Sequence, residues 1–236
     1  MAVKLKVGRR THLSEATGST SLSANHHHRP HDEPLPAGDR NENPAGIGLL
    51  ALWAEDFQTH DRNPFEPGFW AVAAHRFGNW RMGVGRKALR APLSLAYNVS
   101  HLAINWLWGI DLGYTVKLGR RVRLWHHGGM VLTARSIGDD VHIRHNTTMG
   151  IARRSEVTKR PTIENGVDIG VGACILGDVT IGHNSVVGAN AVVVTDFAPH
   201  SRIAGVPARA LPQNGHVHQK DHVENGSLQP SSYHDP

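Results

Sequence analysis

Every sixth residue from Ile163 onward is aliphatic: Ile163, Ile169, Ile175, Ile181, Val187 and Val193. The period also holds upstream, at Leu118, Leu124 and Met130 and at Ile137, Ile143 and Met149. Four places after these stand small or β-branched residues such as Val122, Ala134, Thr147, Val167, Ala173 and Ala191. Glycine follows the aliphatic residue at Gly119, Gly138, Gly150, Gly170, Gly182 and Gly188. A helix repeats near 3.6 and a strand at 2, so a strict six fits neither. It fits a triangular solenoid in which each hexapeptide gives one short strand and one turn, and three make a coil. The aliphatic residue points inward, the small one sits near the corner, and glycine relieves strain at tight turns. The repeat count predicts about four coils, a prism roughly 20 Å tall at ~4.8 Å per stacked strand. Two irregularities interrupt it. One residue is inserted between Met130 and Ile137, and a longer insertion covers 151–162 with Arg153, Arg154, Lys159, Arg160 and Pro161. A long excursion from a regular repeat is functional or disordered.

The rest of the chain divides by composition. Residues 1–45 and 213–236 are rich in Ser, His, Asn, Pro and Gly and hold few large apolar side chains. They cannot bury enough surface to offset ordering entropy, so both read as disordered tails. The run His26–His28 with His31 belongs to a solvated tail. Residues 46–108 read as helical. Phe69–Trp80 carries apolar residues at helical spacing, Gly83 and Gly85 break it, and Pro92 suits the first turn of a following helix. Residues 109–212 form the solenoid domain. The apolar region 88–108 contains Arg90, Asn98, His101 and Asn105, which makes it a helix of a soluble protein rather than a membrane span. The lysines and arginines of the first ten residues are not followed by an apolar run, so no secretory leader is expected. Cys174 stands alone, which excludes an intrachain disulfide and a cysteine-based zinc cluster. A net charge of +5 without a long basic run does not point to nucleic acid.

Several segments resemble the hexapeptide-repeat acyltransferases, most specifically the serine O-acetyltransferase family and its exopolysaccharide (colanic-acid-type) O-acetyltransferase relatives. They are Ala74–Trp80, Gly109–Leu112, Leu124–Leu132, Ile143–Gly150 and the closing Ala204-Gly205-Val206-Pro207-Ala208-Arg209. The resemblance covers about 70–211. It implies a mainly β fold, a left-handed parallel β-helix preceded by a small α-helical region. It implies a cytoplasmic homotrimer that binds acetyl-CoA between adjacent prisms, uses no metal and passes the acetyl group directly to a hydroxyl. The position matching the family's catalytic base is His126. Asp111 matches an acid that faces the substrate amine. Trp125 stands where serine acetyltransferases carry Asp, and Arg160 where they carry a second active-site His. Trp125 and Arg160 are then candidate acceptor contacts, Trp125 by stacking on a sugar ring and Arg160 by pairing with a carboxylate. Val171 and Ala189 match the small positions along which the pantetheine arm of CoA runs, and Lys159, Arg160 and Arg209 are candidates for its phosphates.

Solenoid phase adds an argument of its own. His126 lies two places after Leu124 and His145 two places after Ile143, so both belong to one corner of consecutive coils, about one strand spacing apart. His145 is therefore a second catalytic candidate, and His127 takes the base role if the register slips by one. His142, His183 and His200 read as surface residues without such company. The favoured acceptor is L-serine, as in cysteine biosynthesis, with a saccharide hydroxyl as the alternative. Two other classes compete. One is a γ-carbonic-anhydrase-like zinc enzyme, for which His126, His127 and His145 supply material. The other is an inactive scaffold.

Overall fold

The structure, a computed structural model, describes residues 35–212. Most of the two predicted tails lies outside the described residues.

Residues 110–210 form a parallel β-solenoid with three faces. One face stacks β1 (Ile110–Asp111), β4 (Met130–Leu132), β7 (Thr148–Gly150), β10 (Cys174–Leu176) and β13 (Val192–Val193). The second stacks β2 (Lys117–Leu118), β5 (Ser136–Ile137), β8 (Thr162–Ile163) and β11 (Thr180–Ile181). The third stacks β3 (Arg123–Trp125), β6 (His142–Arg144), β9 (Asp168–Ile169), β12 (Val186–Val187) and β14 (Arg202–Gly205). It is closed by the antiparallel β15 (Ala208–Ala210). The aliphatic residues of the six-residue period face inward, and all of them are buried in one continuous core.

The solenoid makes about five turns, not four. The extra turn is shared between the two ends, where buried Ile110 opens the first coil and buried Ile203 lies in the last. A strict period misses them because Ile110 precedes Leu118 by eight residues and the last coil runs short, with Ile181 opposite Phe197 and Val187 opposite Ile203. The first irregularity also moves. Leu132, not Met130, stands opposite Met149, while Met130 pairs back with Ile110. The turn after Leu124 is therefore two residues longer than its repeat, and the turn after Leu132 is one shorter. The slack falls at His126–Gly129.

The repeat glycines act through space. Gly119, Gly138, Gly170 and Gly182 lie outside the left-handed region. A Cβ on Gly119 would come 2.4 Å from the backbone of Gly138, and one on Gly182 would come 2.3 Å from the nitrogen of Pro199. Coils stack too closely at that corner for any side chain. Left-handed corner positions are held instead by residues such as Asn146, Asn184 and Asn190, whose short amides tolerate positive φ.

A helical layer covers the first coil: α1 (Leu49–Thr59), α2 (Pro67–Trp80), a 3₁₀ turn (Arg81–Gly83) and α3 (Lys87–Trp108). Pro67 opens α2, where a missing N–H costs nothing. Pro92 lies inside α3 rather than in its first turn. It is tolerated because Ala88, whose carbonyl it leaves unpaired, is exposed to water as Pro92 itself is. Gly109, at φ 64°, ends α3 in a left-handed cap and turns the chain into β1.

The open end of a solenoid leaves backbone groups without a next coil, and α2 supplies their partners. His75 Nε2 bonds the carbonyl of Val116, and Asn79 Nδ2 donates to that of Tyr114. Arg76 donates to the carbonyls of Leu118 and Gly119 while pairing with Asp56 of α1 at 3.0 Å. His60 Nε2 accepts the N–H of Leu124. All of these side chains are buried. Part of the predicted N-terminal tail belongs to this layer. The N–H of Glu42 donates to Asn79 Oδ1, and Asn43 Nδ2 donates to the carbonyl of Arg76. Residues 35–45 are held because these polar contacts replace the apolar burial that the segment lacks.

Candidate active site

The lengthened turn after β3 builds the site. His126 adopts φ 63°, and Gly128 and Gly129 follow at φ 101° and 63°. Gly129 suits the left-handed backbone here, and a Cβ on it would also displace the Asn146 side chain of the next coil, whose Oδ1 would stand 2.4 Å away. The turn bulges and carries His126 and His127 out to solvent. Above it the next coil presents His145. The two rings of His126 and His145 lie 5.5 Å apart, edge to face at 79°. His145 Nδ1 is buried and, among the described residues, has no hydrogen-bond partner.

This edge continues along the prism. The N–H of Gly172 donates to the carbonyl of His145, and the N–H of Asn190 to that of Val171. His145, Val171 and Ala189 therefore follow one another up a single edge. A slender chain lying against Val171 and Ala189 would end at the two imidazoles. An exposed imidazole beside a second imidazole can take a proton from a hydroxyl held there and return it to a leaving group.

The other sequence candidates lie elsewhere. Asp111 sits on β1 with His101 Nε2 of α3 at 3.4 Å. The hydrogen bond to His101 holds the Asp111 carboxyl below the usual carboxylate range. Trp125 projects from the outer face of β3. Its Nε1 donates to His142 Nδ1 at 2.9 Å, and the Arg123 guanidinium covers one ring face at 3.7 Å. The loop 151–162 leaves from a different edge, between β7 and β8. In it Lys159 pairs with Glu156, and Arg160 keeps a buried Nε without a partner among the described residues. Arg209 lies on β15 at the far end and is exposed. Within one chain the histidine edge and the Lys159–Arg160 loop occupy separate corners of the triangle.

Three features went unread in the sequence. His101, the partner of Asp111, lies on a helix, where the repeat phase says nothing. His142 has a partner in Trp125. His183 and His200 form a second ring pair, 5.0 Å apart, with Glu164 beside His183. His183 follows Ile181 by two places, but its partner His200 falls out of phase because the last coil runs short, so the period hides the pair. Among the described residues of one chain, no three His, Cys, Asp or Glu side chains gather as metal ligands.

No protein-family model matches the chain. It is similar to serine acetyltransferase of Salmonella typhimurium, with 36% identity over 149 residues, which is 63% of this chain and 52% of that protein. The chain thus spans about half the length of that curated relative. Among solved structures, soybean serine acetyltransferase complexed with serine aligns with TM-score 0.58 and 32% identity, covering 69% of each chain. Serine acetyltransferase from Brucella abortus in complex with coenzyme A aligns with TM-score 0.57 and 31% identity, over 68% of this chain and 66% of that one.

Proposed function

The chain belongs to the serine acetyltransferase family, and we propose that it transfers the acetyl group of acetyl-CoA to a hydroxyl, with L-serine as acceptor. The observation that carries this reading is the edge that leads past Ala189 and Val171 to the paired rings of His126 and His145. An alcohol is a poor nucleophile at neutral pH, so a base is needed. His126 takes the hydroxyl proton as the oxygen attacks the thioester carbonyl. It returns that proton to the sulfur as the tetrahedral intermediate collapses to ester and free CoA thiol. No acyl-enzyme forms. His145 lies within ring contact and orients His126. His127, one residue on and equally exposed, is the fallback base.

Pantetheine lies along Val171 and Ala189, and the CoA phosphates meet Lys159 and Arg209. Arg160, with an unsatisfied N–H, binds the acceptor carboxylate, and Asp111 its ammonium group. Because the loop and the histidine edge occupy different corners, one chain cannot bring them together. A homotrimer that sets the loop of one copy beside the histidine edge of the next completes the site. The reading places the protein in the cytoplasm, where acetyl-CoA is available.

A second reading has one observation in its favour. Asp111 already has His101 for a partner, so a neutral saccharide hydroxyl could serve as acceptor without leaving that carboxylate unpaired. Thiol release from acetyl-CoA, measured with L-serine and with glycosyl acceptors, separates the two. L-serine is expected to release thiol above hydrolysis. Release with a sugar alone would overturn the serine reading. Asp111→Asn should raise KM for L-serine about tenfold or more, the usual cost of removing a charged partner from a bound ion.

A further inference from the structure

The outward face of α3 has no use in the acetyl-transfer reading. Leu89, Leu95, Val99, Leu102, Trp106 and Leu107 are all exposed, Trp106 and Leu107 by 79% and 73%. At 100° per residue they fall on one arc about 140° wide, and the helix from Ala88 to Leu107 is about 28 Å long. The smaller residues within that arc are Ala or Pro, and no charge interrupts it. The side turned inward carries Tyr97 and Ile104. The helix therefore shows more large apolar side chains to solvent than it buries. Beside it, Leu93 of α3 forms one wall of an apolar groove of about 770 Å³ with Leu50 of α1 and Trp80 of α2. Exposed apolar surface of this extent marks an interaction site.

Charge indicates what covers it. No Asp or Glu occurs between Glu66 and Asp111, while Arg76, Arg81, Arg86, Lys87 and Arg90 do. Arg76 is spent on Asp56 and Arg81 lies buried over Tyr97 and Tyr114, but Arg86 and Lys87 are exposed at the start of α3. A coiled-coil partner would need a narrow seam flanked by charges that set register. Here the arc is broad and its flanks are Ser94, Asn98, Ser100 and Asn105, with Lys87 the one charged residue on them. Residues 1–34 and 213–236 offer no apolar stretch of comparable length. A wide apolar face with aliphatics along it, tryptophan toward one end and exposed cations at the other is the pattern of a helix lying in a bilayer interface. No helix of the described residues is long and apolar enough to cross a membrane.

We propose that α3 docks the protein on an anionic lipid surface, with Leu95, Val99, Leu102, Trp106 and Leu107 among the acyl chains and Arg86 and Lys87 at the headgroups. The test is sedimentation of the full chain with vesicles of phosphatidylglycerol and phosphatidylcholine, against pure phosphatidylcholine. Binding to the anionic vesicles that weakens with added salt is expected. The paired change Leu102→Glu and Trp106→Glu should weaken it at least about tenfold while the mass by light scattering stays unchanged. Absence of binding to anionic vesicles would overturn the proposal. A loss of oligomeric mass in the paired variant would also overturn it and give this face to a second copy of the chain. Trp106→Leu guards against misfolding of the charged variant. It should bind as the wild type does but lose tryptophan quenching by brominated acyl chains. Quenching equal to wild type would place Trp106 outside the bilayer and contradict the proposal.

Discussion

The solenoid and the helical layer beneath it bury opposite things. The solenoid fills its interior with aliphatic side chains from every strand and from the corners between them, and Arg135 is its one buried charge among the described residues. The helical layer buries Asp56, Arg76, His75 and Asn79 and leaves much of its large apolar surface on the outside of α3. Each coil of the solenoid satisfies its backbone through the coil above and the coil below. The first coil has no neighbour below, and unpaired buried carbonyls are costly. Polar side chains of α2 replace the missing coil. Regular repetition thus needs a hydrophobic pattern and corner residues that fit, whereas its termination needs specific hydrogen-bonding groups.

The largest stability effect should follow from breaking the polar end. Arg76→Met leaves Asp56 buried without its ion pair and the carbonyls of Leu118 and Gly119 without donors. A loss of about 3–5 kcal/mol in urea unfolding is expected. Less than about 1 kcal/mol would show that the buried pair is incidental and that the two regions do not differ as described.

A cavity in the repetitive part is expected to cost somewhat less. Ile169→Ala, at a fully buried rung, should destabilise by about 2–4 kcal/mol. Equal effects for Arg76→Met and Ile169→Ala would sharpen the comparison into one cooperative unit.

The polar end should also make stability depend on pH. Burial pushes His75 down to about 3 from an ordinary value of 6.5, so the folded state holds it neutral. Below pH 6.5 the unfolded chain takes up a proton that the folded chain refuses, and stability falls as pH drops toward 3. From pH 7 to pH 5 the loss is about 2 kcal/mol from this residue, with His60, also pushed down by burial, adding in the same direction. The urea midpoint measured at both values checks it. A midpoint that is flat over that range would mean that His75 protonates in place.

How far the sequence could be read follows the same division. The six-residue period marks buried rungs directly, since Ile137, Ile163 and Ile169 each recur on a fixed face with one environment. It fails where the chain leaves the period, at Ile110 and Ile203 and in the turn that sets Leu132 rather than Met130 against Met149. It is silent about the helical layer. Nothing in the spacing of His75, Arg76 and Asn79 tells that they face backbone carbonyls of the first coil, since a partner 35–43 residues away leaves no local trace. At the candidate site the phase rule placed His126 beside His145, because that relation is one of register. The contacts of Asp111 with His101 and of Trp125 with His142 depend on side-chain direction, which periodicity does not encode. The separation of the Lys159–Arg160 loop from the histidine edge needed the order of the three faces.

We propose that the lengthened turn after β3 holds the base for acetyl transfer. The most direct test is steady-state thiol release from acetyl-CoA with L-serine, comparing the wild type with His126→Ala. A kcat lower by about 10²–10⁴ is expected in the variant with acetyl-CoA binding little changed, and about a tenfold loss for His145→Ala. Full activity in His126→Ala would contradict it and move the base to His127.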